Sequence, residues 1–398
     1  MADFDECRSI GRGRAAQYRR LVDTTDAAVT ELMTAMGHEQ VVLVADAPSG
    51  LRAVIAVHST ALGPSLGGIR FWRYPSEHDA IVDVLRLSEA MSLKAAAAGL
   101  HQGGGKAVVL VDDPDAPRSD ALLRAMGRAI DDLGGRYIAA EDVGATPHDM
   151  QVIASETPWV TGLEGPGGSG DPSPMTAYGV VQAMGAVLDE LDGNAALAEK
   201  RVVVDGVGHV GTHLARLLAE AGARVAVADV NRERVDVLVR EIGAEPLSTE
   251  RALEADCDIL APCALGGVLN EKTIPRLRCR AVCGAANNQL ADASDDDALA
   301  GRGILYAPDF VVNAGGIVNL AEEFVGYDRE RARKHTAQVA DTVRRVFELA
   351  RAERVPPGRA AEQLARRRIA DEGAGHRFRP GDAAAWTNGA PLRTLRPD

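Results

Sequence analysis

The chain has 398 residues, 46% of them hydrophobic, and a net charge of −13. This length allows two domains with separate cores, and the acidic balance argues against nucleic acid or an anionic membrane as a partner. No apolar run reaches the roughly 20 residues that span a bilayer, residues 1–28 predict an extension without a secretory signal, and the five cysteines have no CxxC spacing. We therefore expect a cytoplasmic protein with reduced cysteines and no metal site.

The first half of the chain predicts alternating strands and helices. From the N-terminus, the predicted elements are a hairpin at 41–44 and 52–58, a helix at 76–94, a strand at 106–111, a helix at 121–133 and a strand at 137–140. Ser76 is placed to cap the first of these helices. The last strand ends in the acidic pair Glu141-Asp142.

Two lysines, 12 positions apart, flank a glycine-rich segment in this half. Lys94 ends the predicted helix and Lys106 follows Gly103-Gly104-Gly105. Because glycine has no Cβ, backbone and ligand can approach each other closely there. A lysine in a dry pocket has a lowered pKa and can act as a base. On these residues alone, solvated loop lysines are the favoured interpretation.

A strand followed by a glycine pattern opens the second half. Residues 201–205 are rich in valine and predict a buried parallel strand. The motif GVGHVG at 206–211 follows, then a predicted helix at 213–221 and an apolar run at 223–228 that ends in Asp229, 18 residues after the motif. This context predicts a dinucleotide-binding turn, in which glycines allow a tight bend and close approach of the pyrophosphate.

Asp229 bears on the choice between NAD and NADP. A carboxylate at this position accepts hydrogen bonds from a ribose 2′-hydroxyl and repels a 2′-phosphate. Arg232 follows three residues later and could soften that repulsion. We predict NAD as the cofactor.

The glycine- and proline-rich stretch at 162–174 predicts a hinge or active-site loop. From there the predicted elements are a helix at 176–189, alternating strands and helices to about 312, and helices at 332–352 and 359–371. The predicted domains are a substrate-binding and oligomerisation domain at 1–165, an NAD-binding domain at 175–315, helices at 316–375 that pack back across the cleft, and a tail at 376–398 that we expect to be disordered.

Seven separated motifs resemble the glutamate/leucine/phenylalanine/valine dehydrogenase family, in the family's order and most closely its leucine, valine and phenylalanine branch. They are GPSLGG at 63–68, residues 91–106, AEDVG at 140–144, residues 170–179, PCALGG at 262–267, NNQL at 287–290 and VNAGG at 312–316. The resemblance implies an α/β substrate domain, a Rossmann doubly wound NAD-binding domain and C-terminal helices that return to the first. It also implies reversible oxidative deamination of an L-amino acid to a 2-oxo acid, ammonia and NADH.

The resemblance implies a role for each matching substrate-side residue. Lys94 would hold the substrate α-carboxylate. Lys106 would be the low-pKa lysine that moves protons on water and the carbinolamine, and Asp142 would exchange protons with the amino group. Gly68 would bring a backbone group near the substrate, and Asn313 would line the substrate side.

The cofactor residues follow from the glycine pattern and from the resemblance. Thr176 would contact the nicotinamide carboxamide, and Asn287 and Asn288 would line the nicotinamide side. The full predicted set is Thr176, Gly206, Val207, Gly208, His209, Val210, Gly211, Asp229, Val230, Ala264, Leu265, Ala286, Asn287 and Asn288.

The side-chain pocket predicts the substrate class. Glutamate dehydrogenases carry a lysine where Leu66 stands, and a buried substrate carboxylate without that cation would cost several kcal/mol. By similarity, the pocket-lining residues are Leu66, Met91, Ala140, Thr161, Ile317 and Leu320. These apolar or small residues favour a branched aliphatic substrate.

The sequence therefore predicts an NAD-dependent dehydrogenase of leucine, valine or isoleucine. A phenylalanine or other aromatic amino acid dehydrogenase is an alternative, because a methyl group more or less is worth only about 1–3 kcal/mol of discrimination. A non-catalytic, NAD-sensing binding protein is a second alternative, although Lys94, Lys106 and Asp142 are all present. We expect a homo-oligomer whose only other partners are the small amino acid or 2-oxo acid and ammonia.

Overall fold

The strands of the protein form two sheets, one in each half of the chain. The computed structural model describes residues 28–379 and 382, so most of the predicted extension and most of the predicted tail lie outside the described part. The strands are β1 Gln40–Asp46, β2 Leu51–Ser59, β3 Ser65–Trp72, β4 Gly103–Leu110, β5 Tyr137–Glu141, β6 Arg201–Asp205, β7 Arg224–Ala228, β8 Glu245–Pro246, β9 Cys257–Pro262, β10 Cys279–Val282 and β11 Leu305–Tyr306.

Helices cover both sheets and connect them. They are α1 Val29–Met36, α2 Glu77–Ala97, α3 Asp120–Asp131, α4 Pro147–Ala154, α5 Ser173–Asp192, α6 His209–Glu220, α7 Arg232–Ile242, α8 Thr249–Ala252, α9 Asp295–Gly301, α10 Asp309–Val312, α11 Gly315–Ala321, α12 Arg329–Ala337, α13 Val339–Glu353 and α14 Pro357–Glu372. Short 3-10 helices span Ile274–Arg276 and Glu322–Val325. No helix in the described part is long and apolar enough to cross a bilayer.

The first sheet has the order β1-β2-β4-β3-β5. The predicted hairpin is confirmed, since β1 and β2 pair antiparallel. Strands β3, β4 and β5 run parallel, with β3 in the middle. The carboxyl ends of these three strands therefore meet at one edge, which is where parallel sheets place their sites.

Helix α2 packs on this sheet and carries Lys94 near its end. The predicted cap is confirmed, because the Ser76 hydroxyl accepts a hydrogen bond from the Asp79 amide at 3.1 Å. Ile81, Val84 and Leu85 are buried against the strands.

One predicted boundary is wrong: the strand begins at Gly103 and not at Lys106. These three strand positions are glycine because the neighbouring elements leave no room for side chains. A Cβ on Gly104 would overlap the Ser92 backbone of α2, and one on Gly105 would lie 2.6 Å from the Ser65 hydroxyl.

The second sheet has six parallel strands in the order β11-β10-β9-β6-β7-β8. The chain leaves β6 for β7 on one side and later returns to place β9 on the other side. Such a reversal opens a crevice at the carboxyl ends of β6 and β9, where α/β proteins bind ligands. The predicted doubly wound fold is confirmed.

The C-terminal helices connect the two halves. Helix α13 packs on α5, and α14 packs on α2, where Arg368 donates a hydrogen bond to the Ala96 carbonyl at 2.9 Å. The prediction of one helix at 332–352 is wrong, because the chain tightens at Gln338, whose amide bonds to the His335 carbonyl three residues back. Thr336 is fully buried there, so packing decides where the helix breaks.

Candidate active site

Lys106 and Asp142 form an ion pair between the two strands that flank β3. Lys106 lies within β4, and Asp142 is the first residue after β5. Lys106 Nζ lies 2.9 Å from Asp142 Oδ2, and the lysine is only 5% exposed. The pair is therefore a buried cation and anion that can exchange a proton over one hydrogen bond.

Glycines in β3 allow these side chains to meet. A Cβ on Gly68 would lie 2.5 Å from the Asp142 Cβ, and one on Gly67 would overlap the Gly105 carbonyl oxygen. Tyr137 fixes the same segment, since its hydroxyl donates to the Gly67 carbonyl at 2.8 Å. Glycine therefore stands where the Asp142 side chain and the Gly105 backbone need the space.

Lys94 brings the first sheet into contact with the second. Its Nζ donates to Asn287 Oδ1 at 3.0 Å. Asn287 follows Ala286, whose amide donates at 2.9 Å to the carbonyl of Pro262, the last residue of β9. The lysine therefore reaches the carboxyl edge of the second sheet, and we call the space between the two carboxyl edges the cleft.

Burial lowers the pKa of Lys94 to about 8. The nearby Asp309 carboxylate opposes this shift, the Lys106 cation adds to it, and Asp142 opposes it. Loss of hydration penalises a charged ammonium in a cleft, which is the physical cause of the main effect. Lys94 can thus gain or lose its charge near neutral pH.

Asn313 completes this side of the cleft. Its Nδ2 donates to Asn287 Oδ1 at 2.8 Å and to the Ala285 carbonyl at 3.1 Å. Its Oδ1 is buried and has no hydrogen-bond partner among the described residues. A buried acceptor without a partner is costly, so the position suits a ligand that donates a hydrogen bond.

Two cations hold the Asp142 carboxylate. Arg70 Nε contacts the same oxygen as Lys106, Oδ2, at 3.2 Å. Burial alone would raise the pKa of Asp142, but Lys106 and Arg70 outweigh burial and lower this pKa to about 2. The carboxylate is therefore ionised in this state.

The glycine motif at 206–211 forms the predicted turn between β6 and α6. Gly206 has φ +104°, and a Cβ there would lie 2.7 Å from the Ala264 amide nitrogen. A Cβ on Gly211 would overlap the Gly206 carbonyl oxygen. A Cβ on Gly208, by contrast, would have only Arg234 Nη1 near it among the described residues, at 4.0 Å.

The space over Gly208 is therefore open, as close approach of a pyrophosphate requires. It forms part of a cavity of about 320 Å³ that is lined by Gly208, His209, His213 and Arg234, among others. The first amides of α6 and the Arg234 guanidinium favour a ligand of negative charge, and Asp171 also lines this cavity. The residues present fit a dinucleotide.

Asp229 lies beside this turn. Its Oδ2 accepts a hydrogen bond from the Val207 amide at 2.8 Å, and its Oδ1 accepts from the Asn231 amide at 2.7 Å. Burial, together with Asp229, raises the pKa of Asp205 at the end of β6 to about 6. Val230 and Leu265 are large apolar residues that are 90% and 83% exposed near this edge, which suits contact with an apolar face of a ligand.

The chain matches two family models. Residues 38–159 match the Glu/Leu/Phe/Val dehydrogenase dimerisation domain, and residues 167–233 and 226–375 match the Glutamate/Leucine/Phenylalanine/Valine dehydrogenase model. The chain belongs to this family. The resemblance predicted from the seven motifs is thereby confirmed.

Individual dehydrogenases of the family are similar over most of their length. A leucine dehydrogenase of Thermoactinomyces intermedius is 47% identical over 342 residues, which cover 86% of this chain and 93% of that protein. A valine dehydrogenase of Streptomyces virginiae is 48% identical over 342 residues, 84% of this chain and 94% of that protein. The crystal structure of L-tryptophan dehydrogenase from Nostoc punctiforme has a TM-score of 0.77 at 40% identity, covering 86% of this chain and 99% of that one.

Several predicted pocket residues lie together on the first sheet and α11. Ala140 pairs with Gly68 across β5 and β3. The Thr161 amide donates at 2.8 Å to the Ala139 carbonyl, and the Thr161 hydroxyl donates at 3.0 Å to the Leu320 carbonyl. Ile317 lies three residues before Leu320, on the same helix side.

The other predicted residues lie around this group. Leu66 is completely buried in the core of the first sheet, and Met91 approaches the backbone of Gly67. Thr176 is buried, and its hydroxyl would lie 2.7 Å from a Cβ on Gly316. Asn287, which is predicted for the cofactor side, accepts hydrogen bonds from Lys94 and Asn313, which are predicted for the substrate side.

The sequence reasoning missed Arg70 and Asp309. Arg70 could have been found by alternation, because it lies two residues after Gly68 in the same strand and so shares its face. Asp309 follows β11 at the carboxyl edge of the second sheet, and its Oδ2 accepts from the Gln289 amide at 2.8 Å. A sequence pattern that marks strand ends would have indicated Asp309.

Proposed function

We propose that this member of the family catalyses NAD-dependent, reversible oxidative deamination of branched-chain L-amino acids. The convergence of the Lys106–Asp142 pair and Lys94 on the cleft supports this most strongly. Amino acid dehydrogenase chemistry follows from the family, and the named leucine and valine dehydrogenases support the substrate class. The resulting products are a 2-oxo acid, ammonia and NADH.

Lys94 binds the substrate α-carboxylate in this proposal. An anionic group needs a fixed cation, and a charge-assisted hydrogen bond to an ammonium is stronger than a neutral one. Lys94 Nζ donates to Asn287 Oδ1 in the structure. In this proposal the substrate carboxylate takes the place of that amide oxygen as the hydrogen-bond acceptor. Asn287 and Asn313 then turn their polar groups to the substrate and the nicotinamide.

Lys106 and Asp142 move the protons. Asp142 exchanges protons with the substrate amino group in this proposal, because its carboxylate lies directly after β5 and contacts Lys106. Lys106, once deprotonated, takes a proton from the water that attacks the substrate carbon. The 2.9 Å contact between the two groups lets them share the proton that the leaving ammonia needs.

The dinucleotide, when bound, accepts the hydride from the substrate carbon. The amides of the turn at 206–211 and the N-terminus of α6 hold its pyrophosphate. Asp229 would hold the adenosine ribose, and its carboxylate would repel a 2′-phosphate. We therefore propose NAD as the preferred cofactor over NADP.

The predicted pocket favours an aliphatic side chain. The six residues proposed to line it carry no charge, so a side-chain carboxylate would remain unpaired and glutamate would bind poorly. Branched Ile317 and Leu320 on α11 narrow the space next to Thr161. Leucine, valine and isoleucine fit this description.

A spectrophotometric screen of the standard L-amino acids with NAD and with NADP tests the proposal. We expect NADH formation at 340 nm with leucine, valine and isoleucine, and kcat/KM at least about tenfold lower with glutamate or with NADP. The Asp142→Asn variant is the control for background reduction. Equal activity of wild type and Asp142→Asn would contradict the proposal and favour a binding role.

An aromatic substrate is the second candidate. It is favoured by the similarity to the L-tryptophan dehydrogenase at 40% identity. The same screen separates the two, because a kcat/KM for phenylalanine or tryptophan above that for leucine would make the enzyme an aromatic amino acid dehydrogenase.

We also propose that the enzyme is a homo-oligomer that assembles through its first sheet. The match of residues 38–159 to a dimerisation domain supports this. Light scattering coupled to size-exclusion chromatography should give at least twice the 41.9 kDa mass of one chain, and a monomer at micromolar concentration would contradict it.

A further inference from the structure

Arg70 joins Asp142 to a second carboxylate. Its Nε lies 3.2 Å from Asp142 Oδ2, and its Nη1 lies 3.1 Å from Asp83 Oδ2. One guanidinium therefore uses two different nitrogens for two anions, one directly after β5 and one on α2. A planar fork with fixed donors can do this, whereas a lysine ammonium has no such geometry.

Asp83 is itself held in place. The Tyr74 hydroxyl donates to Asp83 Oδ2 at 2.6 Å. Burial and the hydrogen bond to Asp83 raise the pKa of Tyr74, so this hydroxyl keeps its proton. The result is a chain of contacts that runs Lys106, Asp142, Arg70, Asp83, Tyr74, with cations and anions alternating along its first four members.

We propose that Arg70 is the positioning residue for proton transfer by Asp142, with Asp83 and Tyr74 as its anchor. Arg70 and Lys106 both contact Oδ2, and the Val143 amide also bonds to this carboxylate. The ion pairs among the described residues therefore leave Oδ1 to face the substrate amino group. This inference rests on the proposed function.

The proposal follows from the changing charge of Lys106. During the reaction Lys106 must lose its proton to act as a base, and at that moment it no longer pairs with Asp142 as a cation. Arginine stays protonated throughout, and two carboxylates raise the pKa of Arg70 against the effect of burial. Arg70 thus keeps a buried carboxylate paired and oriented when its other partner is neutral.

The charged and titratable groups around Asp142 come from four elements. They are Lys106 on β4, Arg70 on β3, Tyr137 and Glu141 on β5, and Lys94 on α2. Arg70 is the cation among them that does not titrate in the working range. Its removal favours the protonated form of Asp142, so the protonation of Asp142 moves to higher pH.

The test compares Arg70→Gln with Arg70→Lys and with Arg73→Gln. Arg73 is exposed and lies three residues away. Its substitution gives the same change of charge at a residue outside the series of contacts from Lys106 to Tyr74. For each variant, kcat, KM and the pH profile of kcat/KM are measured with leucine and NAD, and NADH binding is followed by fluorescence.

We expect Arg70→Gln to lower kcat at least about tenfold and to shift the acidic limb of the pH profile of kcat/KM to higher pH by about one unit. NADH binding should stay within about twofold of wild type, Arg70→Lys should recover part of the limb shift, and Arg73→Gln should behave as wild type. An unshifted limb in Arg70→Gln, with Arg70→Lys no better, would show a structural role only and overturn the proposal.

Two further results keep the test decisive. If Arg70→Gln does not fold, Asp83→Asn removes the anchor and should lower kcat severalfold with NADH binding retained; an unchanged kcat would overturn the proposal. A wild-type enzyme that oxidises no apolar L-amino acid would overturn the proposed function itself. An active wild type whose kcat and pH profile do not change in Arg70→Gln would overturn only the proposal for Arg70.

Discussion

The two sheets use glycine in opposite ways. In the first sheet, Gly67, Gly68 and Gly103–Gly105 are strand residues, and their missing side chains leave room for Asp142, for α2 and for the neighbouring backbone. In the second sheet, the glycines of 206–211 form a turn that exposes backbone amides. One site is built from side chains that glycine makes room for, and the other is built from the backbone that glycine uncovers.

This difference predicts that the two sites can be damaged separately. Removal of a charged side chain in the first sheet should stop proton transfer and leave dinucleotide binding intact. Addition of a single methyl group in the turn between β6 and α6 should weaken dinucleotide binding and leave the proton-transfer groups intact. The following experiments test that separation.

The largest effect is expected for Lys106→Ala. Loss of the lysine removes a proton-transfer group, and such groups contribute about 10²–10⁴-fold to rates, so kcat with leucine should fall at least about 1,000-fold. NADH binding, followed by fluorescence, should change less than about threefold. Lys272→Ala is the matched control, because Lys272 is exposed and lies far along the chain. A variant that keeps most of its kcat would refute the role of Lys106.

Gly208→Ala should have the next largest effect, now on the cofactor. The added Cβ has open space in the structure and the backbone has φ −69°, so the melting temperature should stay within about 2 °C of wild type. The methyl group would occupy the approach of the pyrophosphate, and the KM for NAD should rise at least about tenfold.

Gly185→Ala is the control for this substitution. Gly185 lies within α5, and a Cβ there would have ordinary contacts at 3.7 Å or more, so alanine should stabilise the helix slightly and leave KM unchanged. An unchanged KM for NAD in Gly208→Ala would place the pyrophosphate elsewhere.

Leu66→Lys tests the side-chain pocket. A cation in place of Leu66 would pair with a side-chain carboxylate, so the ratio of kcat/KM for glutamate to that for leucine should rise at least about tenfold. Leu66 is completely buried, and Leu66→Met serves as the control for repacking. If the ratio stays constant while the protein folds, Leu66 does not line the pocket.

The smallest effect is a pH dependence of substrate binding. Lys94 has a pKa of about 8, lowered by burial, and it must be protonated to bind a carboxylate. Its charge is present below this pKa and lost above it, so the KM for leucine should rise severalfold between pH 7.5 and 9 while the KM for NAD stays level. A KM for leucine that falls over this range would mean that another group binds the carboxylate.

The roles of Lys94, Lys106 and Asp142 follow from the family resemblance, because their residue types alone also fit solvated loop side chains. Local patterns predict the elements that carry them, and parallel strands bring their carboxyl ends to one edge. The fingerprint at 206–211 was also predictable, because its function depends on local backbone geometry.

The missed parts depend on contacts between distant residues. Gly103–Gly105 have low strand propensity, and their pairing with β2 and β3, which are distant along the chain, makes them a strand. The proposed role of Arg70 depends on its contacts with Asp83 and Asp142, which are 13 and 72 residues away along the chain. No pattern within a single element indicates such contacts.

A crystal structure with NADH and the 2-oxo acid of leucine, without ammonia, would test the central claim most directly. We predict the 2-oxo acid carboxylate within about 3.2 Å of Lys94 Nζ, in place of Asn287, with its carbonyl group between Lys106 and Asp142 and opposite the nicotinamide. A carboxylate bound away from Lys94, or a carbonyl group out of reach of Lys106 and Asp142, would contradict the account.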